Sequence, residues 1–201
     1  MAAVSETIVR EYFELHEFLV RQHRKYIAQT KREEDDIDFF VLNPHAQPRE
    51  SDRPFVLTSA DLPYLERAIV VVKGWHTETF SSARLASTPE IFRFVEPKVF
   101  QQAAKAFGAA AAPLKILVVP ALPQDAKARD QSIALLRSKG IDAVIPFHTM
   151  LRDLVEHIEV NRNYQKSDLL QMIRILKNYD FFKEPQLELF KAKRKRRKAI
   201  S

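Results

Sequence analysis

Near the start of the chain, apolar residues recur every three or four positions, which is the spacing of one face of an α-helix. This pattern predicts an amphipathic helix over residues 5–23, with Ser5 as its N-cap. The next two patterns are extended. Residues 24–29 and 38–42 predict strands that pair across a charged turn at 30–35, and a polar, proline-containing loop follows them.

The rest of the chain alternates uninterrupted apolar runs with helical patterns. Strands are predicted over residues 68–73, 115–119 and 142–147. Helical segments are predicted over residues 88–107, with a break near Pro97, and over 125–138, 148–160 and 166–180. Strands that alternate with helices predict an α/β fold with some parallel pairing.

The chain divides into an α/β domain over residues 1–160, a helical extension over 161–190 and a basic tail over 191–201. The tail holds seven basic residues and no acidic one, while the whole chain has a net charge of +6, so the first 190 residues are close to neutral. Basic tails are commonly disordered and solvated. They also attract the phosphates of nucleic acids of any sequence. A solvated tail and a phosphate-binding tail are both open interpretations here.

Composition removes several classes of protein. The chain has no cysteine, which excludes disulfides and thiolate metal sites. Its apolar runs are shorter than the roughly 18 residues needed to span a bilayer, and no signal-peptide pattern is visible, so we expect a cytoplasmic protein without a membrane partner. The three glycines lie at predicted element ends, which argues against phosphate-cradling glycine loops. The six histidines show no zinc-ligand spacing, and the nucleophile motif G-x-S-x-G is absent.

Two charged residues border the predicted strands near the middle of the chain. Asp38 follows Asp36-Ile37 and opens one apolar run, whereas Lys73 closes the run 69–72 and precedes Gly74-Trp75. If the two strands are neighbours, the carboxylate of Asp38 and the amine of Lys73 lie at the same end of the sheet. Alternation along a strand places Lys73 and Val71 on the same face.

These residues and the order of elements resemble the PD-(D/E)xK nuclease superfamily, whose fold is called restriction-endonuclease-like, over roughly residues 5–150. The acid-apolar-Asp phrase of that family matches Asp36-Ile37-Asp38, and the glutamate of its first helix matches Glu6. Its acid-x-Lys motif falls on Val71-Val72-Lys73, where the lysine agrees and the acid is replaced by valine.

The resemblance implies a mixed sheet flanked by helices and hydrolysis of phosphodiesters with Mg²⁺. Asp38 would hold the metal, Lys73 would act near the scissile phosphate, and Glu6 would be a further catalytic residue. Glu78 is a candidate replacement ligand if the chain bends after the strand, and His76 is a second one. The implied partner is nucleic acid, DNA in preference to RNA.

Val71 keeps a second hypothesis open, because it removes one of the acids of the usual site. In that case the fold serves as an inactive module for nucleic-acid binding or protein assembly. Each candidate also has a structural interpretation. Glu6 would interact favourably with the positive end of the helix dipole, and Asp38 would end a hairpin turn. Lys73 would extend from a strand end into water.

The C-terminal third holds a further set of candidate phosphate contacts. Arg162 and Lys166 lie near Tyr164 before the last predicted helix, and Lys195, Arg196 and Arg197 lie in the tail. A solvated helix face explains Arg162 and Lys166 equally well. The apolar positions of the last helix cover a wide arc, which predicts packing on the α/β domain or on a second copy of the chain in a homodimer.

Overall fold

The computed structural model describes residues 2–22, 37–49, 52–108 and 112–182. The predicted strand 24–29, its turn at 30–35 and the basic tail lie outside the described residues. The chain divides into two compact units, Met1–His157 and Ile158–Ser201.

The first unit is built on an open sheet of five described strands in the order β1-β2-β3-β4-β5. The strands are β1 Leu19–Gln22, β2 Phe39–Leu42, β3 Arg67–Val72, β4 Leu114–Val119 and β5 Ala143–Pro146. The first three strands pair antiparallel, whereas β3, β4 and β5 run parallel. The predicted α/β class with a mixed sheet is therefore confirmed, and the three apolar runs 68–73, 115–119 and 142–147 form its parallel part.

The described residues include six α-helices. They are α1 Ala2–Leu15, α2 Ser82–Ala86, α3 Pro97–Ala104, α4 Ala126–Ser138, α5 Phe147–His157 and α6 Asp168–Asn178. Short 3-10 segments occupy Ser59–Tyr64, Pro89–Val95 and Lys105–Phe107. The predicted break at Pro97 is confirmed, because this proline starts α3. None of the helices in the described ranges is both long and apolar enough to cross a membrane.

The predicted helix over residues 5–23 is wrong at both ends. Helix α1 begins at Ala2, so Ser5 lies inside it, and the helix ends at Leu15. Glu17 adopts the left-handed conformation with φ of 63°, and the N–H of Phe18 donates to the carbonyl of Phe13 at 3.1 Å. The chain then turns into β1, which pairs antiparallel with β2.

Both faces of the central strand β3 are covered. On one face, Ile69 and Val71 lie in an apolar cluster with Leu117 of β4 and Leu136 of α4. Alternation directs Ala68 and Val70 to the other face, where α1 and α5 pack together. A parallel sheet covered on both faces leaves its strand ends as the places where polar side chains can reach solvent.

The outer edge of β5 is covered by the extended residues 55–57. The N–H of Leu57 donates to the carbonyl of Val144 at 2.9 Å, and the N–H of Val144 donates to the carbonyl of Phe55 at 2.8 Å. These bonds satisfy backbone groups that an open edge would leave to solvent or to another chain.

Tyr12 fixes α1 to the segment that precedes β3. Its side chain is fully buried, and its hydroxyl lies 3.0 Å from the hydroxyl of Ser59. Burial raises the pKa of the Tyr12 phenol well above its ordinary value, since the charged form would lose its hydration.

We expect Tyr12 to stay neutral at a pH that ionises exposed tyrosines. In the unfolded chain its pKa is about 10. The stability that this group contributes is therefore fully present below pH ~10 and is lost as the pH rises toward the folded-state pKa. Tyrosinate absorbance of the folded protein should be the same in Tyr12→Phe as in the wild type. A lower tyrosinate absorbance in the folded Tyr12→Phe protein would contradict the assignment.

Candidate functional site at the carboxyl end of β3

Asp38 is bonded directly to the last residue of β3. Its backbone N–H donates to the carbonyl of Val70 at 3.1 Å, and its Oδ2 accepts the N–H of Val72 at 2.7 Å. Asp38 is 8% exposed. Lys73 follows at once and donates its N–H to the carbonyl of Val118 at 3.0 Å, which extends the parallel pairing by one residue. The predicted acid and lysine therefore lie at the same end of neighbouring strands.

Val71 occupies a core position across from Asp38. The register pairs Phe39 with Val70, so the next pair brings Asp38 opposite Val71. The Val71 side chain is 1% exposed and belongs to the apolar cluster that also holds Phe80 and Val119. A carboxylate at this position would be buried among apolar groups, which is costly without a bound cation.

Glu6 reaches the same end of the sheet from α1. Its Oε2 accepts a hydrogen bond from Nε2 of Gln22 at 2.7 Å, and Gln22 is the last residue of β1. The backbone of Gln22 pairs with Phe39, which follows Asp38. Glu6 lies past the first turn of α1, so the prediction that it acts at the helix start is wrong.

Ser5 and Gly74 hold α1 against the chain that follows β3. Ser5 is 1% exposed, and its hydroxyl lies 3.0 Å from Nε2 of His76. The His76 ring meets Phe147 edge-on, with ring centroids 4.6 Å apart. A Cβ atom at Gly74 would lie 2.1 Å from the Ser5 hydroxyl oxygen. A glycine directly after a strand is the one sign of this contact that could be read from the sequence.

Glu78 is engaged on the α2 side of the chain. Its Oε2 lies 3.3 Å from Nε of Arg84, and the Arg84 guanidinium lies over the Trp75 ring at 5.3 Å from the centroid. Trp75 packs against Phe80 and the apolar cluster. Glu78 is therefore paired with a cation on the α2 side and takes no part in the hydrogen bond between Asp38 and Val72.

The oxygen donors that the structure describes at this end of the sheet do not fit the Mg²⁺ site that the family resemblance implies. Such a site needs several oxygen ligands. Val71 supplies none, Glu6 is bonded to Gln22, and Glu78 is paired with Arg84. Among the described residues, no group of three or more His, Asp or Glu side chains is arranged to hold a metal ion.

The predicted phosphate contacts in the second unit are only partly described. Arg162 forms an ion pair with Glu159 at 3.0 Å, and Lys166 is exposed. Lys195, Arg196 and Arg197 lie outside the described residues. Two other basic side chains hold backbone carbonyls: Arg174 donates to Val160 at 2.8 Å and Lys177 to Ile158 at 2.6 Å. Exposed ion pairs are weak, so Arg162 remains available to a phosphate.

A second polar cluster, which the sequence did not reveal, lies between α1 and α5. Nε2 of His16 is 2.8 Å from Oδ2 of Asp153, a carboxylate that is 5% exposed. Nδ1 of His157 lies 3.0 Å from the carbonyl oxygen of Asp153. The buried carboxylate holds the His16 ring in one orientation.

His16 also lines a small cavity at the end of the sheet where β3 begins. The cavity has a volume of about 170 Å³, and its lining comprises His16, Glu17, Asn43, His45, Gln47, Leu62 and Pro63. Its walls are joined by backbone bonds from Asn43 to Glu66 at 2.7 Å and from Gln47 to Pro63 at 2.8 Å. It lies at the opposite end of β3 from Lys73 and is separate from the Asp38 pair.

Comparison of the chain with protein-family models, with curated proteins and with solved structures found no match. The relation to the nuclease superfamily therefore remains a proposal that depends on the residues and the geometry described above.

We expect Gly74→Ala to displace the first turns of α1, because the new methyl group would overlap the Ser5 side chain. Overpacking of this kind costs about 1–3 kcal/mol. Ser5→Gly removes both atoms that the methyl group would meet. The double variant Ser5→Gly/Gly74→Ala should therefore unfold with less loss than the sum of the single variants. Urea unfolding of all four proteins measures this coupling, and simple additivity would show that the contact does not limit position 74.

We expect Asp38→Ala to destabilise the protein by about 1–3 kcal/mol, because the N–H of Val72 would lose its acceptor. Asp38→Asn retains an acceptor oxygen and should cost less. Hydrogen exchange at the Val72 amide should accelerate in the alanine variant and change little in the asparagine variant. Unchanged exchange in both would mean that the carboxylate does not hold the end of β3.

Proposed function

We propose that this chain is a divergent protein of the PD-(D/E)xK type that binds nucleic acid at the carboxyl end of β3. The observation that carries the proposal is the hydrogen bond from the N–H of Val72 to Asp38, which brings the acid against the residue that precedes Lys73. An acid that opens one strand and a lysine that closes its neighbour are the arrangement that the resemblance implies.

The succession of elements supports the same proposal. Helix α1 precedes three antiparallel strands, and a helical connection leads from β3 to the parallel strand β4. Glu6 on α1 lies at the sheet end that holds Asp38, in accordance with the order expected from the resemblance. These features support a restriction-endonuclease-like fold.

Binding is favoured over hydrolysis by the identity and burial of Val71. A buried valine stands where the family motif has an acid, and Asp38 uses one carboxylate oxygen to hold the backbone of β3. Lys73 would then contact a phosphate oxygen as a cation, a type of contact that positions nucleic acid without reading its sequence. Such binding weakens steeply as salt rises.

Hydrolysis with a divalent metal is the second candidate, because Asp38 and Lys73 do lie at the same strand ends. It requires a further carboxylate beside Asp38. Glu6 would have to leave Gln22, or Glu78 would have to leave Arg84, before either could serve.

We expect the full chain to bind labelled double-stranded DNA in the presence of EDTA, with RNA and single-stranded DNA as comparisons. Fluorescence anisotropy should show that Lys73→Gln weakens binding and lowers the slope of log affinity against log salt by about 1. Arg152→Gln on α5 removes an equal charge from an exposed position and serves as the control. Absence of binding, or equal effects of the two substitutions, would refute the proposed site.

The same substrates incubated with Mg²⁺ or Mn²⁺ test the second candidate. Cleavage that disappears in Lys73→Ala and in Glu6→Gln would establish hydrolysis at this end of the sheet. Binding without cleavage in the presence of either metal would refute hydrolysis and support nucleic-acid binding as the function.

A further inference from the structure

A second group of cations lies at the other end of the parallel strands, where β4 begins. Lys115 is the second residue of β4, and its Nζ lies 4.6 Å from the centroid of the Phe100 ring. Asp142 fixes this region: its Oδ2 accepts the N–H of Lys115 at 2.8 Å, and its own N–H donates to the Lys115 carbonyl at 3.0 Å. The start of β4 and the approach to β5 are therefore bonded together.

The end of α4 contributes two more cations to the same end of the sheet. The Arg137 guanidinium lies 4.9 Å from the centroid of Phe55, and Nζ of Lys139 lies 5.8 Å from the centroid of Phe92. Arg137 and Lys139 are exposed, and Gly140 with φ of 86° turns the chain from α4 toward Asp142. We call Lys115, Arg137 and Lys139 the β4-start surface.

The aromatic rings hold these cations close to the body of the domain. Phe55 and Phe92 belong to the apolar cluster under α4, and Phe100 packs against it. A cation over an aromatic face is attracted by the ring and gives up part of its rotamer freedom before any partner arrives. It therefore loses less entropy when it binds a ligand than an unrestrained lysine does.

The surroundings of the β4-start surface are also positive. The segments 89–108 and 136–142, together with Lys115, carry six basic residues and three acidic ones. Asp142 lies 3.7 Å from Nζ of Lys115, and the other two acids are Glu90 and Glu96. The excess of basic groups on these elements contrasts with the near-neutral charge of the first 190 residues as a whole.

We propose that the β4-start surface binds the phosphate backbone of nucleic acid, as a second contact region in addition to Lys73. This inference rests on the proposed function and names a surface that the function did not require. Several separate cations that stand on one surface match a line of phosphates, which repeat along the backbone, better than they match a single anion. The contact would strengthen binding to any sequence, because phosphates carry no base information.

The test compares the salt dependence of DNA binding in matched variants of the full chain. Arg137→Gln/Lys139→Gln should lower the slope of log affinity against log salt by about 2, because about 0.9 is lost for each duplex phosphate that is no longer neutralised. The control Arg152→Gln removes a charge from an exposed position on α5, and it should leave the slope close to that of the wild type. Equal slopes in the double variant and in this control would overturn the proposal.

The other outcomes distinguish a failure of this proposal from a failure of the proposed function. If Lys73→Gln weakens binding while Arg137→Gln/Lys139→Gln behaves as the control does, only the β4-start surface is refuted. If the wild type binds no nucleic acid, both proposals fail. Should the double variant fold poorly, amide shifts of the wild type titrated with a short duplex decide the matter. Shifts at residues 115 and 137–139 are expected, and shifts confined to the Lys73 end would refute the surface.

Discussion

The architecture depends on how the backbone of β3 is satisfied at its carboxyl end. On one side β3 pairs with the parallel strand β4, and this pairing continues through the N–H of Lys73. On the other side the antiparallel strand β2 begins only at Phe39, so the N–H of Val72 has no strand residue to receive it and bonds instead to the Asp38 carboxylate at 2.7 Å. This single bond completes the central strand and sets the place from which Lys73 leaves the sheet. The contact of Ser5 with Gly74 then seats α1 against the same strand end.

Much of the sheet could be predicted from the sequence, because strands buried on both faces appear as continuous apolar runs. The runs that became β3, β4 and β5 were found within one or two residues of their limits. The first helix could not be delimited in this way. Phe18 and Leu19 continue the helical spacing, yet Phe18 is buried while Leu19 is 62% exposed on the strand that follows. The turn from α1 into Phe18 depends on a left-handed Glu17, and glutamate gives no signal for that conformation.

The candidate site was predictable only where its residues adjoin strands. Asp38 and Lys73 were found because each borders an apolar run, and neighbouring strands bring such borders together. Ser5 with His76 and His16 with Asp153 are separated by 71 and 137 residues, and helix packing alone brings them into contact. Glu78 was a reasonable substitute ligand by position. Its pairing with Arg84 depends on the short helix α2, which the sequence pattern did not distinguish from the surrounding loop.

Val71 links the core to the proposed binding of nucleic acid. As a side chain that is 1% exposed it strengthens the apolar cluster, and by the same placement it supplies no oxygen ligand beside Asp38. A domain that meets phosphates with cations instead of a bound metal needs several contacts, because each one is weak in water. The two proposed contact regions lie at opposite ends of the parallel strands. Lys115 is level with Ile69, four residues before Lys73, so at about 3.3 Å per residue the two regions are about 13 Å apart along the strands. With about 3.4 Å between successive phosphates of one strand, a duplex would need about four base pairs to reach from one region to the other. Shorter duplexes can occupy only one region at a time. If both regions act together, affinity should rise with duplex length by more than the increase in the number of binding positions on the DNA explains.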